Sequence, residues 1–214
     1  LVSSEFGQYF VRLPLKKSAK IVHADALETA WENVVSKNEL SFIIGNPPFI
    51  GHQWRNEAQK KGMEKVFGDA KRAGRLDYVT AWYLKAARYI QGTKIKVAFV
   101  STNSIVQGEQ TSILWEQLFK QYNIKIHFAH RTFKWNNEAK GNAGVHVVIV
   151  GFANFDTYEK RIFEYEDIKG EAHEIKAKNI NPYLVDAKDI LVERSQKAIS
   201  NIPEMCFGNM PADG

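Results

Sequence analysis

One run constrains this chain more than any other: Phe42-Ile43-Ile44-Gly45-Asn46-Pro47-Pro48-Phe49. Leu40 to Ile44 is an apolar stretch of strand length, which predicts a strand buried in a sheet. Pro47 and Pro48 fix φ and remove two backbone donors, so the turn that follows is stiff and leaves carbonyls free. A stiff turn at the carboxyl end of a strand in an α/β sheet is where ligands usually sit. Asn46 offers a side-chain carbonyl, Pro47 a backbone carbonyl, and Phe49 a flat apolar face. Two convergent acceptors beside an aromatic plate suit an exocyclic amino group on a planar base. The plain alternative is a strand-to-loop turn, since proline pairs mark turns generally.

Around this elbow the patterning alternates. Residues 19–23 read as a short strand and 26–36 as a short helix with Leu27, Ala30, Trp31 and Val34 on one face. Residues 50–75 are a polar insert with Arg55, Lys60, Lys61, Lys65, Lys71, Arg72 and Arg75 against Glu57, Glu64 and Asp69, part-helical over about 54–66. Apolar residues at helical spacing predict a helix over 76–91, stopped by Gly92, and another over 109–122. Strands are expected at 94–101, 124–128 and 145–152, with a polar loop at 130–143. Strands alternating with helices up to about residue 122 argue for a parallel sheet covered on both faces. The strands 124–128 and 145–152 lack a helix between them, so they are expected to pair antiparallel. Beyond 153 the pattern weakens to a strand at 161–165 and a helix at 193–200.

With 214 residues and 44% hydrophobic content, the chain can bury the core of one ordinary domain. Lysine and arginine total 29 against 24 acidic residues, a mild basic excess compatible with a polyanion. The lone Cys206 excludes an internal disulfide framework and a cysteine-rich zinc site. Six histidines show no metal-ligand spacing, and His127 and His130 read as incidental. No apolar run is long enough to span a membrane, and no secretory signal is visible, so a cytoplasmic protein is expected. The first residue is not Met and the Met210–Gly214 end looks cut, so a piece of a larger protein is expected.

The Asn46-Pro47-Pro48-Phe49 elbow and the elements around it resemble the catalytic half of N6-adenine DNA methyltransferases with the gamma motif order. The likeness spans roughly residues 19–152 and is nearest to the large fused type IIG/IIL restriction-modification enzymes. It implies an α/β fold, a Rossmann-like class I S-adenosylmethionine-dependent methyltransferase sheet, here partial and without its N-terminal cofactor strands. Residues 1–152 would be the catalytic part, and 153–214 an extension toward a target-recognition domain, with Phe207–Pro211 looking like the join. The resemblance assigns catalysis to Asn46, Pro47, Pro48 and Phe49. Phe49 and Phe133 would stack on the target base, Trp135 being a rival to Phe133.

Asp25, Ala26 and Asn46 would line the S-adenosylmethionine site, with a backbone N–H of Ala26 or Leu27 meeting the adenine ring. The alternative for Asp25 is a helix cap, a common use of Asp. Lys60, Lys61, Lys71 and Arg72 are the candidate phosphate contacts; the alternative is a solvated loop. Implied partners are double-stranded DNA and the rest of a parent polypeptide carrying nuclease and target-recognition domains. Two departures stand out: the family's glycine-rich cofactor loop has no match, and neither does its ribose-binding acid, for which Glu5 is a poor candidate. Competing readings are methylation of another amino group (cytosine, RNA adenine, protein glutamine) and a non-catalytic DNA-binding scaffold.

Overall fold

The computed structural model describes residues 19–135 and 145–193. The predicted helix at 193–200, all but its first residue, lies outside them, as do the join at 207–211, Cys206, Glu5 and the loop beyond residue 135.

Among the described residues, six strands form one sheet: β1 Phe42–Gly45, β2 Lys96–Thr102, β3 Lys125–Trp135, β4 Val145–Ala153, β5 Lys160–Tyr165 and β6 Ala172–Ala177. Their order is β1-β2-β4-β3-β5-β6. Only β1/β2 and β3/β5 are parallel; β2/β4, β3/β4 and β5/β6 are antiparallel. The sheet is therefore mixed rather than parallel, while the expected antiparallel pairing of β3 with β4 is present. The two run together because β3 continues through Trp135, taking in residues 130–135 in place of the expected loop. Phe133, Lys134 and Trp135 pair with Val147, His146 and Val145.

The described residues also form three α-helices: α1 Glu57–Phe67, α2 Thr80–Tyr89 and α3 Gly108–Lys120. α1 starts at a full capping box, with the Asn56 side chain accepting from Gln59 N–H and the Gln59 side chain accepting from Asn56 N–H. α2 starts later than its periodicity suggests, because residues 76–79 are a turn in which Asp77 and Tyr78 make tertiary hydrogen bonds.

Alternation along the strands divides the sheet into two faces. Val97, Phe99 and Ser101 of β2 share a face with Val148, Val150 and Phe152 of β4, and α2 and α3 cover it. Tyr83 is the centre of that packing. Its ring stacks on Phe152 at 5.4 Å and meets Phe99 and Trp115 edge-on. Its hydroxyl bonds Ser101 Oγ at 2.7 Å, and burial holds the phenol well above its usual pKa.

The opposite face carries Phe42 and Ile44, which are 63% and 80% exposed. This corrects two expectations. The described helices do not cover both faces, and the apolar run at 40–44 is not a buried strand. The reason is position: β1 is the edge strand, so one side of it lacks a neighbour among the described residues. On the same face Phe128 lies directly over Gly151, where a side chain would overlap its ring. Gly151→Ala should therefore lower the thermal stability by about 1–3 kcal/mol through overpacking. An unchanged melting temperature would mean that the Phe128 ring swings aside freely.

The segment before β1 also differs from expectation. Residues 19–23 form no strand, since no described strand pairs with them. Residues 26–36 contain a turn and the 3₁₀ turn Trp31–Asn33 instead of an α-helix. Tertiary contacts win here. The Lys85 ammonium donates to the carbonyls of Leu27 and Thr29 at 2.6 and 2.7 Å, taking acceptors that a continuing helix would use. Trp31 Nε1 likewise takes the Ala26 carbonyl.

Candidate active site

β1 delivers its last residue, Gly45, beside Phe99 of β2, and the elbow begins there. Pro47 is buried, Phe49 is half-buried, and Asn46 and Pro48 are exposed. The Asn46 side chain makes no hydrogen bond among the described residues, so its amide oxygen remains open to a ligand. Buried proline on one side and an open amide on the other is the arrangement a rigid presenting elbow needs.

The rigidity has a second source. Tyr78 N–H donates to the Ile50 carbonyl at 2.9 Å. Asp77, only 8% exposed, bridges two loops. Its Oδ1 accepts from His52 N–H at 3.0 Å, and its Oδ2 accepts from Ser104 Oγ at 2.6 Å. Ser104 Oγ also bonds Thr102 Oγ1 at 2.8 Å. One carboxylate thus ties the exit of the β1 elbow to the exit of β2. Gln110 fixes the Asp77 backbone in turn, its Oε1 accepting from Asp77 N–H at 2.9 Å. Arg55, buried, closes the loop from the other side by donating to the carbonyls of His52 and Gly74. Sequence reasoning misses Asp77, although a signal for it exists: it is the one acid in the helix-like run at 76–90 and sits among Leu76, Tyr78 and Val79.

Phe133 lies at the same end of the sheet. Phe133 and Thr102 both pair with Val147, which puts them in one row just beyond the Gly45–Phe99 level. Two strands separate Phe133 from β1, a span of about 14 Å at the usual ~4.8 Å strand spacing. One side of its ring is engaged, stacked on Tyr165 at 5.0 Å. Trp135 stands 6.1 Å from it. His130 has a structural place: it stacks on Phe163 at 4.3 Å, and its Nδ1 bonds Tyr165 Oη at 2.8 Å. His127 is likewise structural, with Nε2 bonding the Phe155 carbonyl at 2.7 Å. Burial pushes both imidazoles below their usual pKa.

Asp25 behaves first as a turn former. Its Oδ1 accepts from Leu27 N–H at 2.8 Å, and its carbonyl accepts from the N–H groups of Glu28 and Thr29. Leu27 N–H is therefore already engaged, which leaves Ala26 as the backbone donor of the two. Ala24 and Ala26 border an apolar recess of about 410 Å³ whose far wall is Ile43, Ile44 and Trp31.

The basic insert is less free than its composition suggests. Lys60 pairs with Glu57 at 2.7 Å, and Arg72 and Arg75 both reach Glu109, at 3.6 and 2.6 Å. Lys61 and Lys71 are exposed and form no ion pair among the described residues. Also among the described residues, no group of three or more His, Cys, Asp or Glu is placed to hold a metal, and no helix is long and apolar enough to cross a membrane.

Comparison with known proteins gives the family. Residues 1–164 match the family model described as MmeI, DNA-methyltransferase domain. The chain belongs to this family. It is 44% identical over 204 residues to DNA methyltransferase A of Bacillus subtilis strain 168, covering 94% of this chain and 22% of that protein. It superposes on the solved structure of the type IIL restriction-modification enzyme MmeI in complex with DNA with a TM-score of 0.88, at 52% identity. That match covers 99% of this chain and 28% of the MmeI chain. The chain thus spans about a quarter of the relatives it matches, and what is described above is one segment of an MmeI-type methyltransferase architecture.

Proposed function

We propose that this chain carries the chemical half of a DNA adenine-N6 methyltransferase within a restriction-modification protein. The observation that carries the reading is the elbow: an open Asn46 amide beside a half-buried Phe49, on a turn held by two prolines and Asp77. The amino nitrogen of adenine is a poor nucleophile because its lone pair is delocalised into the ring. Asn46 Oδ1 and the Pro47 carbonyl accept its two hydrogens and draw it toward tetrahedral geometry. Neutral Asn acts here by position and electrostatics, not as a base. Extruding the adenine from the duplex costs a few kcal/mol. Stacking on Phe49, worth about 1–3 kcal/mol per base, offsets much of that. Phe133, backed by Tyr165, forms an aromatic wall on the far side of the sheet end. S-adenosylmethionine, when bound, supplies the activated methyl group.

The fit to this cofactor is partial. Ala26 N–H and the Asp25 carboxylate suit its adenine end, and the apolar recess beside them suits a flat ring. The edge of β1, which has no neighbour among the described residues, and the exposed Phe42 and Ile44 leave room for further elements of the parent to pack there. Residues 1–152 then form the catalytic part, and 153–214 lead toward target recognition. Methylation of duplex DNA by the intact parent, with the methylated base identified by nucleoside chromatography, tests the reading. N6-methyladenine is the expected product; N4-methylcytosine alone would overturn it.

Phosphate binding falls to Lys61 and Lys71 first, since Lys60 and Arg72 already have acidic partners. Neutralising all four should flatten the dependence of log affinity on log salt by about 0.9 for each phosphate that the protein ceases to neutralise. An unchanged slope would remove the insert from the DNA interface.

A further inference from the structure

Trp54 sits eight residues after Asn46 and is 83% exposed. It belongs to the 3₁₀ turn His52–Trp54, which is neither loose nor remote from the elbow. His52 N–H is held by Asp77, and the His52 carbonyl by Arg55. Trp54 N–H donates to the Gly51 carbonyl at 2.9 Å. The indole lies against Gly51, where an added Cβ would stand 3.4 Å from Trp54 Cδ1. Through Asp77 and Ser104, the same turn is pinned to the carboxyl end of β2. A large aromatic ring is therefore displayed on a fixed mount at the elbow end of the sheet. Tyr158, also highly exposed, lies between β4 and β5 at the opposite end. Six and seven residues after Trp54 come the exposed cations of α1, Lys60 and Lys61, with Lys71 further along the insert.

We propose that Trp54 stacks on the base pair flanking the extruded adenine and holds the opened duplex at the elbow. The assignment rests on the DNA-adenine reading above. An extruded base exposes the faces of its neighbours, and an indole face replaces the missing stacking without regard to sequence. A rigid mount limits the side-chain entropy given up on binding. The surrounding cations suit the adjacent phosphates.

The test uses the intact parent enzyme and a duplex carrying its own methylated site, mapped by sequencing DNA that it has modified. One version of the duplex has 2-aminopurine at the target adenine to report extrusion. Trp54→Ala should lower single-turnover methylation by about tenfold and reduce the 2-aminopurine signal in parallel, as removal of one base–aromatic stack requires. Trp54→Phe should restore most of both. The melting temperature of either variant should match the parent's, because the ring is 83% exposed in this chain and contributes little to its packing. Wild-type rate and wild-type fluorescence in Trp54→Ala would overturn the assignment alone. A wild-type enzyme that leaves duplex adenine unmethylated would overturn the underlying reading, and this assignment with it.

Discussion

Replacing Asn46 by Ala in the intact parent should reduce methyl transfer by roughly 10²–10³-fold, the scale seen when one preorganised hydrogen-bonding group at a reacting centre is removed. The side chain is exposed and has no hydrogen bond among the described residues, so its removal leaves packing untouched. Stability and DNA affinity should therefore stay near the parent's while chemistry fails. Transfer of a labelled methyl group from S-adenosylmethionine to duplex DNA measures it directly. A variant retaining a tenth or more of the parent's rate would show that Asn46 is not the group that readies the amine.

The second large effect is expected at Asp77, which touches no proposed substrate. Asp77→Ala strips the acceptor from His52 N–H and from Ser104 Oγ at once. Hydrogen bonds to a charged group are each worth about 1.5–3 kcal/mol, so the melting temperature should fall. The kinetic consequence is larger in kind. Freed from its bridge, the elbow no longer holds Asn46 in one place, and a misplacement of about 1 Å can cost on the order of 10²-fold in rate. We expect kcat to fall on that scale at temperatures where the variant is still folded, with KM for DNA little changed. Asp77→Asn should recover a large part, because its amide oxygen still accepts from His52 N–H and its amino group can donate to Ser104 Oγ. A rate in the folded Ala variant equal to the parent's would show that the prolines alone stiffen the turn.

Much of this protein is legible from local chemistry. The Asn-Pro-Pro-Phe turn announces itself because proline sets backbone angles without help from the rest of the fold. Strands β2 and β4 are visible because strands packed in a sheet interior are apolar over most of their length, whichever side they face. Helix α3 is visible because one stripe of it meets the core. Strand β6, rich in polar residues and almost wholly exposed, carries no such signal and is held in place by its register with β5.

The errors share a cause. Residues 26–36 have helical spacing but become turns, since Lys85, fifty-six residues beyond Thr29, takes the carbonyls instead. Arg72 is tied to Glu109, thirty-seven residues away, only once the fold brings the two together, whereas the Lys60–Glu57 pair is one helical turn apart and already readable from spacing. The sequence alone determined that a stiff elbow with an amide and an aromatic ring would follow a strand, because those properties are written into Asn46, the two prolines and Phe49. Only the tertiary structure decided which carboxylate braces that elbow, that Arg72 and Arg75 are tied to Glu109, and that Trp54 is left exposed. Those depend on contacts between residues far apart in the chain, and spacing along a sequence does not encode them.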